Sequence, residues 1–388
     1  MMVAPTAPLV KIAKVIMGQS PPGDTYNEDG DGMPLLNGPT EFGTTSPTCT
    51  QFTTDSRREC EAGDLIFCVR GSTTGRMNWA DRKYSLGRGV CGIRGATAAE
   101  TRFVSYCIQD RLHALLQLAG GGTFPNLTKD DIEEFKIPWP DNRVRIAGIL
   151  SVYDELMENS QRRIRLLEAM ARALYREWFV HFRFPGHEKL PRVASSIGYI
   201  PQGWDVMPLA SLVDFAKGRK PAETRPLPMQ GDVKLLLIDS LHGGEAVFTS
   251  PAKLVLAETR DTIMVMDGAS SCEVTIGSSG AVGSTLGRFR TTMPDRFSPH
   301  TLFRFLDLMA EEFKSKNIGA AIPHANKDYI LTQQVALPPN ALASSFHAQL
   351  EPIQCTTETL KLQIQNLRRT RDLLLPRLLS GQVELSTH

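Results

Sequence analysis

The sequence predicts an α+β fold in which two α/β blocks alternate with two long helices as an internal repeat. The stretch ENSQRRIRLLEAMARALYREWF, from Glu158 to Phe179, is typical of a long amphipathic helix. ETLKLQIQNLRRTRDLLLPRLL, which starts at Glu358, is a second one. Each helix follows a globular stretch, so the order is block, helix, block, helix. A repeat of this length decides the whole fold and is therefore considered first.

Both helices carry a heptad seam, in which apolar or small residues recur at alternating steps of four and three. The seam of the first helix comprises Ile146, Leu150, Tyr153, Met157, Ser160, Ile164, Leu167, Ala171, Leu174 and Trp178. Adding 200 to each number gives Phe346, Leu350, Ile353, Thr357, Leu360, Ile364, Leu367, Arg371, Leu374 and Leu378. Two seams in the same phase indicate that the helices pair with each other, although Thr357 and Arg371 interrupt the second seam.

The globular blocks repeat more faintly. VIMGQSPP near Gly18 aligns with DFAKGRKP near Gly218, and GDLIFCVRGSTTG from Gly63 aligns with RDTIMVMDGASSC from Arg260. GGTFPNLTKDDIEEFKIPWP from Gly121 aligns with GAAIPHANKDYILTQQVALPP from Gly319. Each block is thus predicted to open with a helix or turn before a Gly-containing loop. The β-type runs DLIFCVR and DTIMVMD should end at Gly-Ser-Thr loops. A Pro-bounded strand should precede each long helix.

Prolines bear on the element boundaries. Pro352 lies in the first turns of the second helix, and we expect Pro376 to kink or end it. The run FRFPGHEKLPRVASSIGYIPQGW, from Phe182 to Trp204, contains Pro, Gly and Ser and is predicted to be a linker into the second block.

The composition limits the classes of function that are possible. The chain is 41% hydrophobic and 22% charged with a formal net charge of +1, so any nucleic-acid binding must rest on local basic patches. No apolar run reaches the ~18 residues of a membrane span, and the first residues lack a signal-peptide pattern, so we expect an intracellular protein. The seven cysteines include no C-x-x-C pair, which favours isolated reduced thiols over disulfides or a zinc site.

Four segments resemble one known family. LLEAMARALYREWFVHFRFPG and RRTRDLLLPRLLSGQVEL are similar to the two conserved regions of type I restriction-modification specificity (HsdS) subunits. GYIPQGWDVMPL resembles the entry into the second target-recognition domain of that family. GGGTFPNLTKDDIEEFKIPWP resembles the segment that ends a recognition domain, and the resemblance covers essentially the full chain.

The resemblance implies two α/β target-recognition domains separated by two long antiparallel coiled-coil helices with pseudo-twofold symmetry. It divides the chain into recognition domains at 1–141 and 203–341, a central conserved helix at 142–182, a linker at 183–202 and a C-terminal conserved helix at 342–388. Each domain would bind one half of a bipartite, asymmetric site in double-stranded DNA. The helices would set the spacer and dock two methyltransferase subunits, and two restriction/translocase subunits would join for cleavage. The chain would be a cytoplasmic, non-catalytic subunit that needs no cofactor.

Helix length agrees with this expectation. The span from Ile146 to Trp178 corresponds to about 50 Å at 1.5 Å per residue. Paired DNA-recognition modules commonly sit about 34 Å apart, one turn of DNA. Two diverged blocks on a rigid spacer suit a split target better than a single ligand.

Candidate DNA contacts lie in the matched loops, because Arg can bridge guanine, Gln or Asn can bridge adenine, and Ser or Thr can hold phosphates or bases. An ordinary hairpin turn is the alternative explanation for each of them. The candidates are Gln19, Ser20, Arg70, Ser72, Thr73, Thr74, Arg76, Asn126, Lys217, Arg219, Lys220, Ser270, Ser271 and Lys327.

The helices supply candidate partner contacts. The docking that the resemblance implies would involve seam residues, and we expect these to be Ile164, Leu167, Leu174, Trp178, Ile364, Leu367 and Leu374. The runs RRIR from Arg162 and LRRTR from Leu367 are explained by a solvated helix face, by phosphate contact or by docking of methyltransferase helices.

Two other functions remain open from the residues alone. A scaffold that binds two protein clients would have the same block-and-helix order. A nuclease is suggested only by the E-x-K runs at Glu134 and Glu312, which lack a clear Pro-Asp partner. A methyltransferase or a motor lacks its motif, since ALPPN has the wrong flanks and no G-x-x-x-x-G-K-[ST] loop occurs. The scattered histidines indicate neither a metal site nor a nucleophilic triad.

Overall fold

The computed structural model describes residues 5–43, 45–120, 125–241, 244–319 and 323–383. The chain forms two compact units. Unit 1 consists of residues 1–161 and 362–388, and unit 2 consists of residues 162–361. Each unit is a β-rich block together with one part of each long helix, so the predicted α+β fold is confirmed.

Unit 1 is built around an antiparallel four-stranded sheet of order β2-β10-β7-β8. A five-stranded sheet of order β3-β5-β4-β9-β6 and a two-stranded sheet, β1-β11, complete its β structure. The strands are β1 (Thr6–Pro8), β2 (Ala13–Met17), β3 (Tyr26–Asn27), β4 (Met33–Leu36), β5 (Phe52–Thr53), β6 (Glu59–Cys60), β7 (Leu65–Cys68), β8 (Met77–Trp79), β9 (Tyr84–Leu86), β10 (Val90–Gly95) and β11 (Lys136–Pro138). The helices are α1 (Ala98–Asp110), α2 (Leu112–Leu116), α3 (Lys129–Glu133) and the first part of α4 (Arg143–Tyr175).

Unit 2 repeats this plan. A four-stranded antiparallel sheet of order β15-β22-β19-β20 lies beside a second sheet of order β17-β16-β21-β18, with the pairs β12-β13 and β14-β23. The strands are β12 (Arg192–Ser195), β13 (Gly198–Pro201), β14 (Asp205–Pro208), β15 (Val213–Lys217), β16 (Val233–Leu236), β17 (Val247–Thr249), β18 (Leu256–Ala257), β19 (Thr262–Val265), β20 (Val274–Thr275), β21 (Gly280–Val282), β22 (Leu286–Thr291) and β23 (Gln334–Leu337). The helices are α5 (Ile238–Leu241), α6 (Pro299–Ser315), α7 (Lys327–Thr332) and the first part of α8 (Asn340–Leu379).

The predicted strands are present in both blocks, and each block also contains a capped helix. DLIFCVR and DTIMVMD contain the fully buried strands β7 and β19, and the Pro-bounded runs contain β11 and β23. Helix α1 begins where the Thr97 hydroxyl accepts the Glu100 N–H, and α6 begins where Ser298 accepts from Thr301. Such N-caps satisfy a backbone donor that the helix cannot satisfy itself. Each Gly-containing loop follows a strand, β2 or β15, rather than the predicted helix or turn.

A buried ion pair occurs at the same place in each unit. Arg94 on β10 donates to Asp64 at 2.5 and 2.7 Å, and Arg290 on β22 donates to Asp261 at 2.7 and 2.6 Å. Both aspartates are almost fully buried, and each also accepts a backbone N–H three residues earlier. A buried carboxylate needs such partners. The repetition of this arrangement supports the internal repeat inferred from the sequence.

The two heptad seams are the buried faces of α4 and α8. Every seam residue is buried or half-buried. In unit 1, Asp154 on α4 pairs with Arg371 on α8, and in unit 2, Glu168 pairs with Lys361. In unit 2 the Tyr175 ring also contacts the Phe346 ring, so later positions on α4 face earlier positions on α8 and the two segments run antiparallel there.

Two expectations about boundaries need correction. Helix α8 continues through Pro352 and Pro376 and ends at Leu379, so Pro376 lies within the last turn instead of ending the helix. Pro376 has no N–H to donate to the Asp372 carbonyl, so this carbonyl joins the unpaired acceptors that a helix C-terminus leaves to solvent. The expected linker contains the hairpin β12-β13 and the buried residues Phe182, Phe184 and Ile200. These side chains pack into the core of unit 2 with Trp178 and Trp204, so this segment is part of the folded unit.

Candidate nucleic-acid interface

The candidate residues of unit 1 gather at one end of its four-stranded sheet. Strand β10 is antiparallel to both β2 and β7, so the end of β2, the end of β7 and the start of β10 lie together. We call this end, with residues 18–20, 69–76, 87–89, 120 and 125–127, the loop edge of unit 1. The loop edge of unit 2 is formed in the same way by residues 218–220, 266–273, 283–285, 318–319 and 323–325.

Gly18 fixes the first loop of unit 1 against the sheet. Its N–H donates to the Val90 carbonyl at 3.0 Å, and a Cβ atom here would lie 2.1 Å from the Gly87 carbonyl oxygen. This close backbone approach leaves the Gln19 side chain exposed. The Ser20 hydroxyl accepts from Arg88 Nε at 3.2 Å. Arg88 was not singled out from the sequence, although its Gly-Arg-Gly setting resembles the other loops.

The turn from Arg70 to Arg76 combines exposed and structural side chains. Arg70, Ser72 and Arg76 are exposed. The Thr74 hydroxyl lies 2.8 Å from the Gly71 carbonyl and 3.0 Å from the Pro125 carbonyl, and Thr73 lies 3.8 Å from the Cys68 sulfur. Thr73 and Thr74 therefore hold the turn, and the exposed residues are free to face a ligand.

Asn126 closes the loop edge of unit 1. Its N–H donates to the Gly120 carbonyl at 2.9 Å, and its backbone also bridges to Arg70. Its side-chain oxygen is buried and accepts no hydrogen bond from any residue that the structure describes. Residues 121–124 and 320–322, which precede the candidates Asn126 and Lys327, lie outside the described residues.

In unit 2, Lys217 ends β15 and two more cations follow it. Arg219 donates to the Lys253 carbonyl at 3.3 Å, while Lys220 is exposed. Gly218 repeats the packing of Gly18, because a Cβ atom would lie 2.1 Å from the Gly283 carbonyl oxygen. Lys217 forms an ion pair with Asp267 at 3.1 Å, so its charge is partly compensated within the unit.

The serines of the matched turn in unit 2 are less accessible than expected. Ser271 is buried and accepts from Asn317 Nδ2 at 2.5 Å, and Ser270 is half-buried. The neighbouring Cys272 adopts a φ of 71°. Burial raises the pKa of its thiol to about 11, so the thiol stays neutral. Lys327 lies over the Phe215 ring at 5.2 Å. Ser271 thus has a structural role in the turn.

The sequence analysis missed two residues of unit 2 that the structure brings together. His324 Nδ1 lies 2.8 Å from Asp267 Oδ1, and Asp267 also holds Lys217. The carboxylate accepts from both. His324 lies in the run from Lys314 to Lys327, and its alignment with Asn126 was the only sequence signal that pointed to it.

The predicted partner-binding residues lie on the helix seams. Ile164, Trp178 and Ile364 are buried, and Leu167, Leu174, Leu367 and Leu374 are half-buried. Their packing within the chain leaves little surface for another protein, and their contact with a partner stays a prediction.

Two searches of the described residues found no metal site and no membrane span. Among these residues, no group of three or more His, Cys, Asp or Glu is placed to hold a metal ion. The helices in this part of the chain are too short or too polar to cross a bilayer.

Comparison with known proteins bears on the family. Residues 9–169 match the family model described as the type I restriction modification DNA specificity domain. A sequence ascribed to the MjaX specificity subunit of Methanocaldococcus jannaschii is 36% identical over 151 residues, which cover 38% of this chain and 35% of that protein. The MjaIX specificity subunit of the same organism is 22% identical over 284 residues, which cover 70% of this chain and 66% of the relative. Residues 9–169 therefore belong to the type I specificity-domain family.

The fold agrees with this family. The crystal structure of a type I restriction-modification S subunit from M. genitalium matches with a TM-score of 0.59 at 15% identity, covering 98% of this chain and 96% of that one. The prediction of a specificity subunit rather than an enzyme is confirmed at the level of the family. The chain spans less than two thirds of the length of the first two curated relatives that it matches.

Proposed function

We propose that this specificity subunit binds double-stranded DNA through its two loop edges, with each unit contacting one half of a bipartite, asymmetric target. The charge of the loop edge in unit 1 carries the proposal. Arg70, Arg76 and Arg88 are exposed there, and none of them forms an ion pair with another described residue. Uncompensated cations on one surface suit the phosphate backbone, and Arg is the most frequent contact to guanine.

The comparison of the two loop edges supports two different half-sites. The same backbone hydrogen bonds recur, as with Gly71 to Pro125 in unit 1 and Gly268 to Pro323 in unit 2. The side chains that these frames present differ, since Arg70 in one frame corresponds to Asp267 in the other. A shared frame with different base-facing groups is what two unlike half-sites require.

In this proposal the recognition domains are residues 1–141 and 203–341, and the conserved helices at 142–182 and 342–388 set the spacing of the half-sites. Two methyltransferase subunits dock on the helices and two restriction/translocase subunits complete the enzyme. The chain itself supplies sequence recognition and no catalysis. The match of residues 9–169 to a DNA specificity domain supports this division of work.

Domain exchange tests the proposal directly. The variant carries residues 1–141 of another family member, is expressed with its methyltransferase partner, and its methylated sites are mapped across a genome. We expect one half-site to change and the other to persist. A change in both half-sites would contradict one recognition unit per half-site. Binding that does not weaken as salt rises would favour a protein-client scaffold instead, because phosphate contacts release counterions.

Single substitutions test the loop edges. Arg70→Ala and Arg219→Ala should each weaken discrimination in one half-site by about 1–3 kcal/mol if the side chain contacts guanine. Uniform weakening across all sequences would make them phosphate contacts. Lys83 and Arg260 are the matched controls, because each is an exposed cation before β9 or β19, at the strand end away from the loop edge. Their alanine variants should leave the target unchanged.

A further inference from the structure

Equivalent backbone positions at the two loop edges carry different polar pairs. In unit 1 an isolated bridge joins Arg70 to Asn126, and in unit 2 an isolated bridge joins Asp267 to His324. The surrounding hydrogen bonds also correspond, because Asn126 donates to the Gly120 carbonyl at 2.9 Å as His324 does to Ile318 at 2.8 Å. Unit 1 thus presents a cation and an amide where unit 2 presents a carboxylate and an imidazole.

The carboxylate orients the imidazole. Asp267 Oδ1 lies 2.8 Å from His324 Nδ1, and the Asp267 side chain is only 20% exposed. Because an ionised carboxylate only accepts, the hydrogen must sit on Nδ1. The other ring nitrogen, Nε2, forms no hydrogen bond with any described residue, and the His324 side chain is 46% exposed. The ring is therefore fixed on one side and available on the other.

The charge around this imidazole is balanced. Lys217 Nζ lies 3.1 Å from Asp267 Oδ2, and its side chain is 53% exposed. Asp267 would repel a phosphate on its own, but Lys217 at the end of β15 compensates its charge. The cluster consequently presents one positioned nitrogen beside one exposed ammonium group. His324 Nε2 can form a hydrogen bond with a base edge, and the Lys217 ammonium group can contact a phosphate.

We propose that His324 is a specificity-determining residue of unit 2, which contacts a base edge through Nε2, with Asp267 as its positioning residue. Lys217 contacts a neighbouring phosphate and keeps Asp267 compensated. This inference rests on the proposed function, because it assigns the base contact within the second half-site.

The test uses the full chain with its methyltransferase partner and maps methylated sites for His324→Asn and His324→Ala. Asparagine occupies the corresponding position of unit 1, so the first variant suits this backbone. We expect discrimination at one base pair of the second half-site to fall by roughly 5- to 150-fold, the range for a single base contact. The first half-site should be unchanged, as should the whole target of the control Arg260→Ala.

Two further variants separate positioning from contact. Asp267→Asn keeps an oxygen that accepts from Nδ1, so the preference at that base pair should persist, whereas Asp267→Ala should relax it. Lys217→Ala should weaken binding to all sequences and leave the preference unchanged. A uniform loss of methylation in the His324 variants with an unaltered target sequence would overturn the inference. A wild-type complex that methylates without a bipartite target would instead refute the proposed function.

Discussion

Gly18 shows how tightly the backbone of a loop edge is packed. Its Cα faces three carbonyl oxygens of the β9–β10 connection, and a Cβ atom would lie 2.1–2.8 Å from them. We expect Gly18→Ala to lower the free energy of unfolding by about 1–3 kcal/mol, the usual cost of overpacking. Urea unfolding measures this change. Gly23→Ala is the control, because nothing lies within 4 Å of its added methyl group. Equal stability of both variants would show that the first loop adjusts without strain.

One buried and one half-buried histidine make the stability of unit 2 depend on pH. His300 is 4% exposed, and burial lowers the pKa of both His300 and His347 below the usual 6.5, although Glu351 opposes the shift. The unfolded chain therefore takes up protons first as the pH falls. Stability is complete above the unfolded pKa and is lost as the pH falls from 6.5 toward the folded pKa. The loss should not exceed about 1.4 kcal/mol per pH unit for each histidine.

The measurement is urea unfolding near neutral pH and about one unit below the unfolded pKa of histidine. Trp178 and Trp204 lie in the core of unit 2, so Trp79→Phe and Trp139→Phe restrict the fluorescence to this unit. The pair His300→Gln with His347→Gln should remove most of the pH dependence. If the free energy of unfolding of that variant changes with pH as much as that of the wild type, other groups cause the pH dependence.

At the scale of the helices, the interrupted seam of α8 has a structural explanation. Thr357 is 3% exposed and donates its hydroxyl hydrogen to the Ile353 carbonyl at 2.8 Å, which satisfies it within the helix. Arg371 donates to Asp154 on α4 at 2.6 Å, and the Tyr106 hydroxyl on α1 also donates to Asp154. The polar residue at this seam position therefore ties the block of unit 1 to both long helices.

Removing the charge of Asp154 should destabilise unit 1, and replacing both Asp154 and Arg371 should restore much of the stability. Asp154→Asn should destabilise unit 1 by about 2 kcal/mol, since a hydrogen bond to a charged group contributes about 1.5–3 kcal/mol. Trp79 and Trp139 fluorescence reports on this unit. Asp154→Leu with Arg371→Leu should recover much of the loss, because an apolar pair often replaces a buried ion pair without cost. A double variant that is less stable than Asp154→Asn would mean that the polar cluster is needed for packing.

The sequence predicted the helices and their buried faces better than the loops. Heptad spacing identifies a buried stripe from position alone, and every residue of both seams is buried or half-buried. The position of Gly18 was also visible, because Gly218 matches it. The interaction of His324 with Asp267 could not be predicted from the sequence, because the two residues are far apart in the chain. The burial of Ser271 depends on Asn317, which no local pattern connects to it.

At the scale of the whole molecule, the helices should act as a ruler for the DNA target. One heptad added at Arg162 and one at Leu362 keeps both seams in register, because apolar residues still recur every 3.5 positions. Each helix lengthens by about 10 Å at 1.5 Å per residue, which corresponds to about 3 base pairs of DNA. We expect unchanged half-sites separated by a gap about two to four base pairs longer.

Methylation mapping of cells that carry the variant and its methyltransferase partner measures the gap. Three base pairs also rotate one half-site by about 100° around the duplex, so activity should fall. The control adds one heptad to α4 alone, which leaves the pairing of the two helices unequal and should abolish methylation. An active double insertion that keeps the original gap would show that the helices do not set the spacing.

The division of unit 1 between two separate parts of the chain has a consequence for its synthesis. Leu375, Leu378 and Leu379 belong to the same core as Phe103 and Leu150, yet the ribosome makes them after the whole of unit 2. At about 5–20 residues per second, the nascent block of unit 1 waits on the order of ten to forty seconds for these leucines. During that interval the apolar face of this block is uncovered. Unit 2, by contrast, consists of one continuous segment and does not wait for a later one. The block translated first is thus the last to be completed, and its exposed apolar surface favours aggregation until then.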